Sequence, residues 1–148
     1  MDALMTAIVL WLSSNFELAP STNLPRVAFA SPSRIGSLRY KDVANGAQSR
    51  SALDAASADT VAIYNDVTQT IYLRDDWTGK TPAELSILVH KIVHHLQTVG
   101  RMKFARPQER EELAYKAQER WLGLFGHDLK SDFGLDPFSV QIKSKCFY

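Results

Sequence analysis

An α+β fold is predicted for this sequence: an N-terminal helix, a small antiparallel β-hairpin or sheet, and two long antiparallel helices. Three patterns predict it. Two β-branched and aromatic runs, residues 60–64 (TVAIY) and 69–73 (QTIYL), flank the turn-like spacer Asn65-Asp66-Val67-Thr68 and read as a hairpin. A capped apolar-periodic segment begins at Thr81 and continues to about Thr98. A second helical segment runs from near Pro107 to about Leu124, with Gly126 as its stop.

In chain order, residues 2–16 read as the first helix, because Leu4, Ile8, Trp11 and Leu12 recur at helical spacing with Leu18 just beyond. The apolar run at 7–12 is far too short for a bilayer, which takes about 20 residues. A secretory signal needs a basic front end, whereas Asp2 stands here and no Lys or Arg precedes Arg26. A soluble chain is expected. The compartment stays open between the cytoplasm and, had an upstream signal been removed, the periplasm or exterior. Pro20 and Pro25 bracket a turn, 27–29 reads as a short strand, and 33–40 as a short helix capped by Ser33. Residues 42–59, rich in Ala, Ser, Asn and Gly, read as loop. Thr81-Pro82-Ala83-Glu84 carries three agreeing start signals: a capping threonine, a first-turn proline, and a glutamate at the third position. Gly100 ends that helix. Beyond it, Trp121, Leu122, Leu124 and Phe125 read as core, and 139–142 as a final strand.

The bulk numbers bound the function. The chain of 148 residues fits one domain, 1–148. A formal net charge of +1, with scattered basic residues, gives no electrostatic argument for nucleic acid or an anionic membrane as partner. Cys146 is the one cysteine, so no disulfide forms within the chain.

The chemistry concentrates in residues 88–97 (LVHKIVHHLQ). Histidines four apart on a helix project from nearly the same face, so His90 and His94 can reach one ion at the roughly 2.0–2.1 Å that zinc requires. His90, His94 and Gln97 form one stripe. Leu85, Leu88, Val89, Ile92, Leu96 and Val99 gather opposite, to pack on the hairpin or the first helix. On the following helix Glu111, Tyr115 and Gln118 share a stripe, while Glu112 points about 100° away. A short connection makes the two helices antiparallel neighbours. Two imidazoles and a carboxylate then close three corners of a tetrahedron; Glu111 is the first choice for the third ligand and Glu112 the fallback. His95 reads as a packing or surface residue and His127 as an exposed loop residue. Gln97 and Gln118 read as hydrogen-bonding across the helix pair.

This arrangement resembles the zincin metallopeptidases of the glutamate-ligand type, with H-E-x-x-H on one helix and E-x-x-x-D on the next. Here the segments are His90-Lys91-Ile92-Val93-His94 and Glu111-Glu112-Leu113-Ala114-Tyr115. Over most of its length the chain is also similar to an uncharacterised group of small bacterial proteins carrying V-H-E-x-V-H-H-L-Q and R-E-x-L-A-Y-x-A-Q. The likeness to characterised peptidases covers the two helices only. The resemblance implies His90, His94 and Glu111 as Zn2+ ligands, with Tyr115 where an aspartate would support a ligand histidine. It also places Lys91 where the general-base glutamate belongs. That glutamate takes a proton from the attacking water and passes it to the leaving amine; an ammonium has no acceptor for it. Peptide hydrolysis is therefore expected to be weak or absent. The strand at 69–73 stands where zincins align an extended peptide by strand addition; a buried or purely structural hairpin is the equal alternative. The competing reading is a non-enzymatic domain that binds a peptide or a partner protein with no functional metal. A third leaves the histidines satisfying each other inside the helix pair.

Overall fold

The computed structural model describes residues 1–43 and 62–135. The elements are α1 (Asp2–Asn15), β1 (Arg26–Ala30), α2 (Pro32–Val43), β2 (Ala62–Asn65), β3 (Thr70–Arg74), α3 (Pro82–Val99), α4 (Gln108–Gly123) and α5 (Leu129–Phe133). The α+β arrangement is as expected. The chain forms two compact units, one from Pro25–Thr78 and the other from Met1–Leu24 with the chain from Gly79 onward. The proposed final strand at 139–142 and most of the 42–59 loop lie outside the described residues.

In the Pro25–Thr78 unit the sheet has the order β1-β3-β2. The hairpin is present: β2 pairs antiparallel with β3, with Ile63 opposite Tyr72. Asn65 closes the turn, its Oδ1 accepting from the Thr68 amide at 3.0 Å. Gln69 takes a left-handed φ of 52°, so the return strand starts one residue later than its β-rich composition suggests. The sheet is mixed rather than antiparallel, because β1 runs parallel to β3 from Arg26↔Thr70 to Ala30↔Arg74. This corrects the reading of residues 69–73 as a peptide-aligning edge. β3 is the central strand, and both its hydrogen-bonding sides are taken. α2 is capped two residues earlier than expected: Ser31, not Ser33, caps it, accepting from the Arg34 amide at 3.3 Å.

The other unit holds the site. α1 buries Met5, Ile8, Val9 and Leu12. Relative to the sequence reading, Met5 and Val9 replace Leu4 and Trp11 as the most buried positions, a small rotation of the same amphipathic face. α1 packs against α3. On α3 the residues Leu88, Val89, Ile92 and Leu96 are buried as expected, each side chain contributing about 1.5–3 kcal/mol of burial free energy. Thr81 caps α3, its Oγ1 accepting from the Glu84 amide at 3.1 Å. Glu84 reaches back to accept from the Gly79 amide at 2.6 Å, fixing the loop ahead of the helix. α3 ends at Gly100, which stays right-handed at φ −79°; the left-handed residue is Arg101, at φ 51°. A Cβ on Gly100 would sit 2.9 Å from the Leu96 carbonyl oxygen, so close approach explains the glycine.

α4 returns against α3. Glu109 and Glu111 lie in its first turn, where acidic side chains favour the positive end of a helix. Leu122 is core, but Leu124 and Phe125 are not: they are 60% and 48% exposed. The helix stops at Gly123, and both residues fall in the turn beyond it. α5 (Leu129–Phe133) was not expected from the sequence. Asp128 caps it by accepting from the Ser131 amide at 2.7 Å, and Gly134 ends it at φ 65°. Its Leu129 packs with Leu122 and Tyr115, so α5 backs the aromatic ring that faces the site. Among the described residues, no helix is long and apolar enough to cross a membrane.

Candidate metal centre

His90 and His94 rise from consecutive turns of α3, and Glu111 reaches them from the first turn of α4. One Glu111 carboxylate oxygen, Oε2, lies 3.0 Å from His90 Nε2. The other, Oε1, lies 3.0 Å from His94 Nε2. One ligand atom from each of the three residues falls within 4.8 Å of the others. The helical stripe that favoured Glu111 over Glu112 is the one that converges; Glu112 is not in the group.

The surroundings hold these side chains firmly. His90 Nδ1 is 2.9 Å from Gln118 Oε1, and His94 Nδ1 is 2.9 Å from Gln97 Oε1. Gln118 donates from Nε2 to Ser86 Oγ at 3.1 Å. Gln97 donates from Nε2 to the Arg110 carbonyl at 3.1 Å. Tyr115 meets His90 as a ring, edge to face at 4.7 Å between centroids. The Nδ1 partners of the two histidines are thus the two glutamines, and Tyr115 packs against His90. Residue type hid this role, because an amide carries no charge and reads as structural. The two imidazoles also meet edge to face at 5.0 Å, yet neither nitrogen pair is satisfied by the other ring.

His95, one residue on, turns to the opposite side. It is fully buried, and its Nε2 is 2.6 Å from the Asn23 carbonyl oxygen. It packs the segment after α1 onto α3 and takes no part in the cluster. His127 is exposed as expected and pairs with Asp132 at 2.9 Å. Lys91 is half-buried beside His90.

Electrostatics follow from burial. Desolvation pushes His90 down to about 4; the hydrogen bond that its protonated ring would donate to Glu111 opposes this, and the charges of Lys91 and His94 add to it. Burial alone would raise Glu111. The charge that His94 carries when protonated, together with the close contacts of both histidines, holds its carboxyl well below the usual carboxylate range.

The family described as a domain of unknown function (DUF6647) matches residues 1–147. The chain belongs to the DUF6647 family. No curated protein and no solved structure matches it.

The residues of this DUF6647 chain fit a divalent metal ion. His94 Nε2 is buried and has no hydrogen-bond partner, although Glu111 Oε1 lies 3.0 Å away. A buried polar atom left unpaired costs about 1–3 kcal/mol, a cost that a coordinated cation removes. Bonds of about 2.0–2.1 Å place neighbouring donors of a tetrahedral site roughly 3.3 Å apart; here each histidine Nε2 lies 3.0 Å from a Glu111 oxygen, and the three donors lie within 4.8 Å of one another. His90, His94 and Glu111 are therefore a group that can hold a metal ion.

Proposed function

We propose that this chain is a zincin-like zinc-binding protein related to zinc metallopeptidases, with peptide hydrolysis impaired by Lys91 at the general-base position. The observation that carries the proposal is the convergence of His90 Nε2, His94 Nε2 and the Glu111 carboxylate, with the buried His94 Nε2 lacking a hydrogen bond. Two imidazoles and one carboxylate suit zinc. Magnesium and calcium take sets of oxygen ligands, which this group does not offer.

When bound, zinc would supply Lewis-acid polarisation of a coordinated oxygen. The protein's own residues do the rest. His90 and His94 present nitrogen donors from one helix face, and Glu111 brings negative charge from the next helix. Tyr115 walls the site on the α4 side. No carboxylate occupies position 91. A protonated Lys91 offers three donors and no acceptor, so it cannot take a proton from water. Its charge is also repelled by a dication, which weakens metal binding.

Calorimetric titration of metal-stripped protein with zinc tests the reading. One ion per chain is expected for the wild type and none for His94→Ala; a wild-type titration without heat removes the metal claim. Lys91→Glu tests the lineage. Zinc-loaded Lys91→Glu is expected to hydrolyse a generic peptide substrate above the wild-type rate, and a loaded but inert variant counts against descent from peptidases.

A further inference from the structure

We propose that Gln118 and Gln97 are positioning residues that lock both histidines in the tautomer with hydrogen on Nδ1, so that each presents a bare Nε2 to the space shared with Glu111. The inference deepens the metal-site reading and rests on it for its purpose, though not for its geometry.

The direction of each hydrogen bond can be followed outward to a group whose polarity is fixed. Ser86 Oγ has one hydrogen and donates it to the Ala83 carbonyl at 2.7 Å. Toward Gln118 it therefore accepts, so the atom at 3.1 Å is the amide nitrogen. The amide oxygen of Gln118 then faces His90 Nδ1 at 2.9 Å. An amide oxygen only accepts, so Nδ1 carries the hydrogen. The second relay ends on the backbone. Gln97 Nε2 lies 3.1 Å from the Arg110 backbone carbonyl, which can only accept. Its oxygen consequently faces His94 Nδ1 at 2.9 Å, and that nitrogen also bears hydrogen.

A neutral imidazole has one N–H. Both Nε2 atoms are then lone pairs, and they are the two atoms 3.0 Å from the Glu111 oxygens. With both rings neutral, the two Nε2 lone pairs face the Glu111 oxygens with no hydrogen between them, and a cation is what the three groups can share. Turning the Gln97 amide over would oppose two carbonyl oxygens. Turning Gln118 over would force Ser86 to release Ala83. Ser86, Gln97 and Gln118 are all buried, so no bulk water competes for these bonds. The relays also cross between helices in both directions: Gln118 of α4 serves a histidine of α3, and Gln97 of α3 is anchored on the α4 backbone. The same contacts that join the helices thus orient the ligands. Neutral amides do this where a carboxylate would add basicity to the imidazole, so the outer groups set the tautomer without adding charge.

The experiment is two-bond 15N–1H NMR of the histidine side chains in the metal-free, full-length protein at pH 8, paired with zinc titration of each variant. In the wild type both ligand histidines are expected as Nδ1–H. In Gln118→Met, His90 is expected to shift toward Nε2–H while His94 does not, and zinc affinity to fall about 10- to 100-fold. Gln97→Met gives the mirror image. Gln118→Glu, which keeps the acceptor, restores the wild-type spectrum. Nε2–H on either ligand histidine of the wild type, or hydrogen on both nitrogens, overturns the inference. So does an unchanged His90 tautomer in folded Gln118→Met. The wild-type spectrum suffices if a variant does not fold. Nδ1–H on both rings with no zinc binding in the wild type upholds the tautomer lock and overturns the metal reading alone.

Discussion

Replacing Ser86 by alanine removes one hydroxyl a single helical turn from His90, on a residue that touches no proposed ligand. Ser86 is fully buried and stands between Gln118 Nε2 and the Ala83 carbonyl. Two end states follow. If the Gln118 amide stays put, its buried nitrogen loses its acceptor, and stability falls by about 1–3 kcal/mol with or without metal. If the amide turns over, its nitrogen donates to His90 Nδ1, and the imidazole hydrogen moves to Nε2, where Glu111 Oε2 accepts it at 3.0 Å. The metal-free protein then recovers most of the loss, but zinc must reverse the turn. The same 1–3 kcal/mol reappears as a zinc affinity lower by about 5- to 150-fold, at roughly 1.4 kcal/mol per tenfold. The second state keeps every buried donor paired and is the one expected. Urea unfolding of metal-free Ser86→Ala should therefore move by less than about 1 kcal/mol, while calorimetry shows zinc binding weakened at least fivefold. Unchanged zinc affinity together with the full loss of stability would make Ser86 a packing residue and refute the relay.

Zinc at a hundred times its dissociation constant should stabilise the protein by about 2.7 kcal/mol. For a chain of this size that is a Tm rise of about 5–10 °C, read by thermal melts with and without chelator and absent in Glu111→Ala. Metal-free protein should lose stability on acidification below pH 6.5. Burial depresses both His90, to about 4, and His95, so the unfolded chain binds more protons between the unfolded and folded values. His90 alone accounts for about 3 kcal/mol, complete only below pH 4. Urea midpoints at pH 7.5, 6 and 5 check this, and a flat or rising profile contradicts it. Thr81→Ala, which deletes the α3 cap, should cost about 1 kcal/mol by urea unfolding and leave zinc stoichiometry at one.

Much of the centre was legible because helices write their faces into sequence. Thr81, Pro82 and Glu84 marked the start of α3 to the residue, and the four-residue spacing of His90 and His94 needed only 3.6 residues per turn to be read. The same arithmetic separated Glu111 from Glu112. What was not legible depends on contacts distant in sequence or on side-chain detail. Residues 27–29 signalled a strand, but nothing local says that β1 lies parallel beside β3 and makes β3 central. α5 is five residues long, with one buried leucine and no period to detect. Leu124 and Phe125 lie just past the point where α4 stops, so their apolar character misled. Gln97 and Gln118 were placed on the right stripes. Their hold on the imidazoles depends on which end of each amide faces the ring, and helical spacing carries no information about that.

Crystals of the zinc-loaded protein, measured with X-rays on either side of the zinc absorption edge, put the central claim to its most direct test. One anomalous peak is expected, within bonding distance of His90 Nε2, His94 Nε2 and a Glu111 oxygen. A map with no peak there, or with zinc only at exposed pairs such as His127 and Asp132, would contradict it.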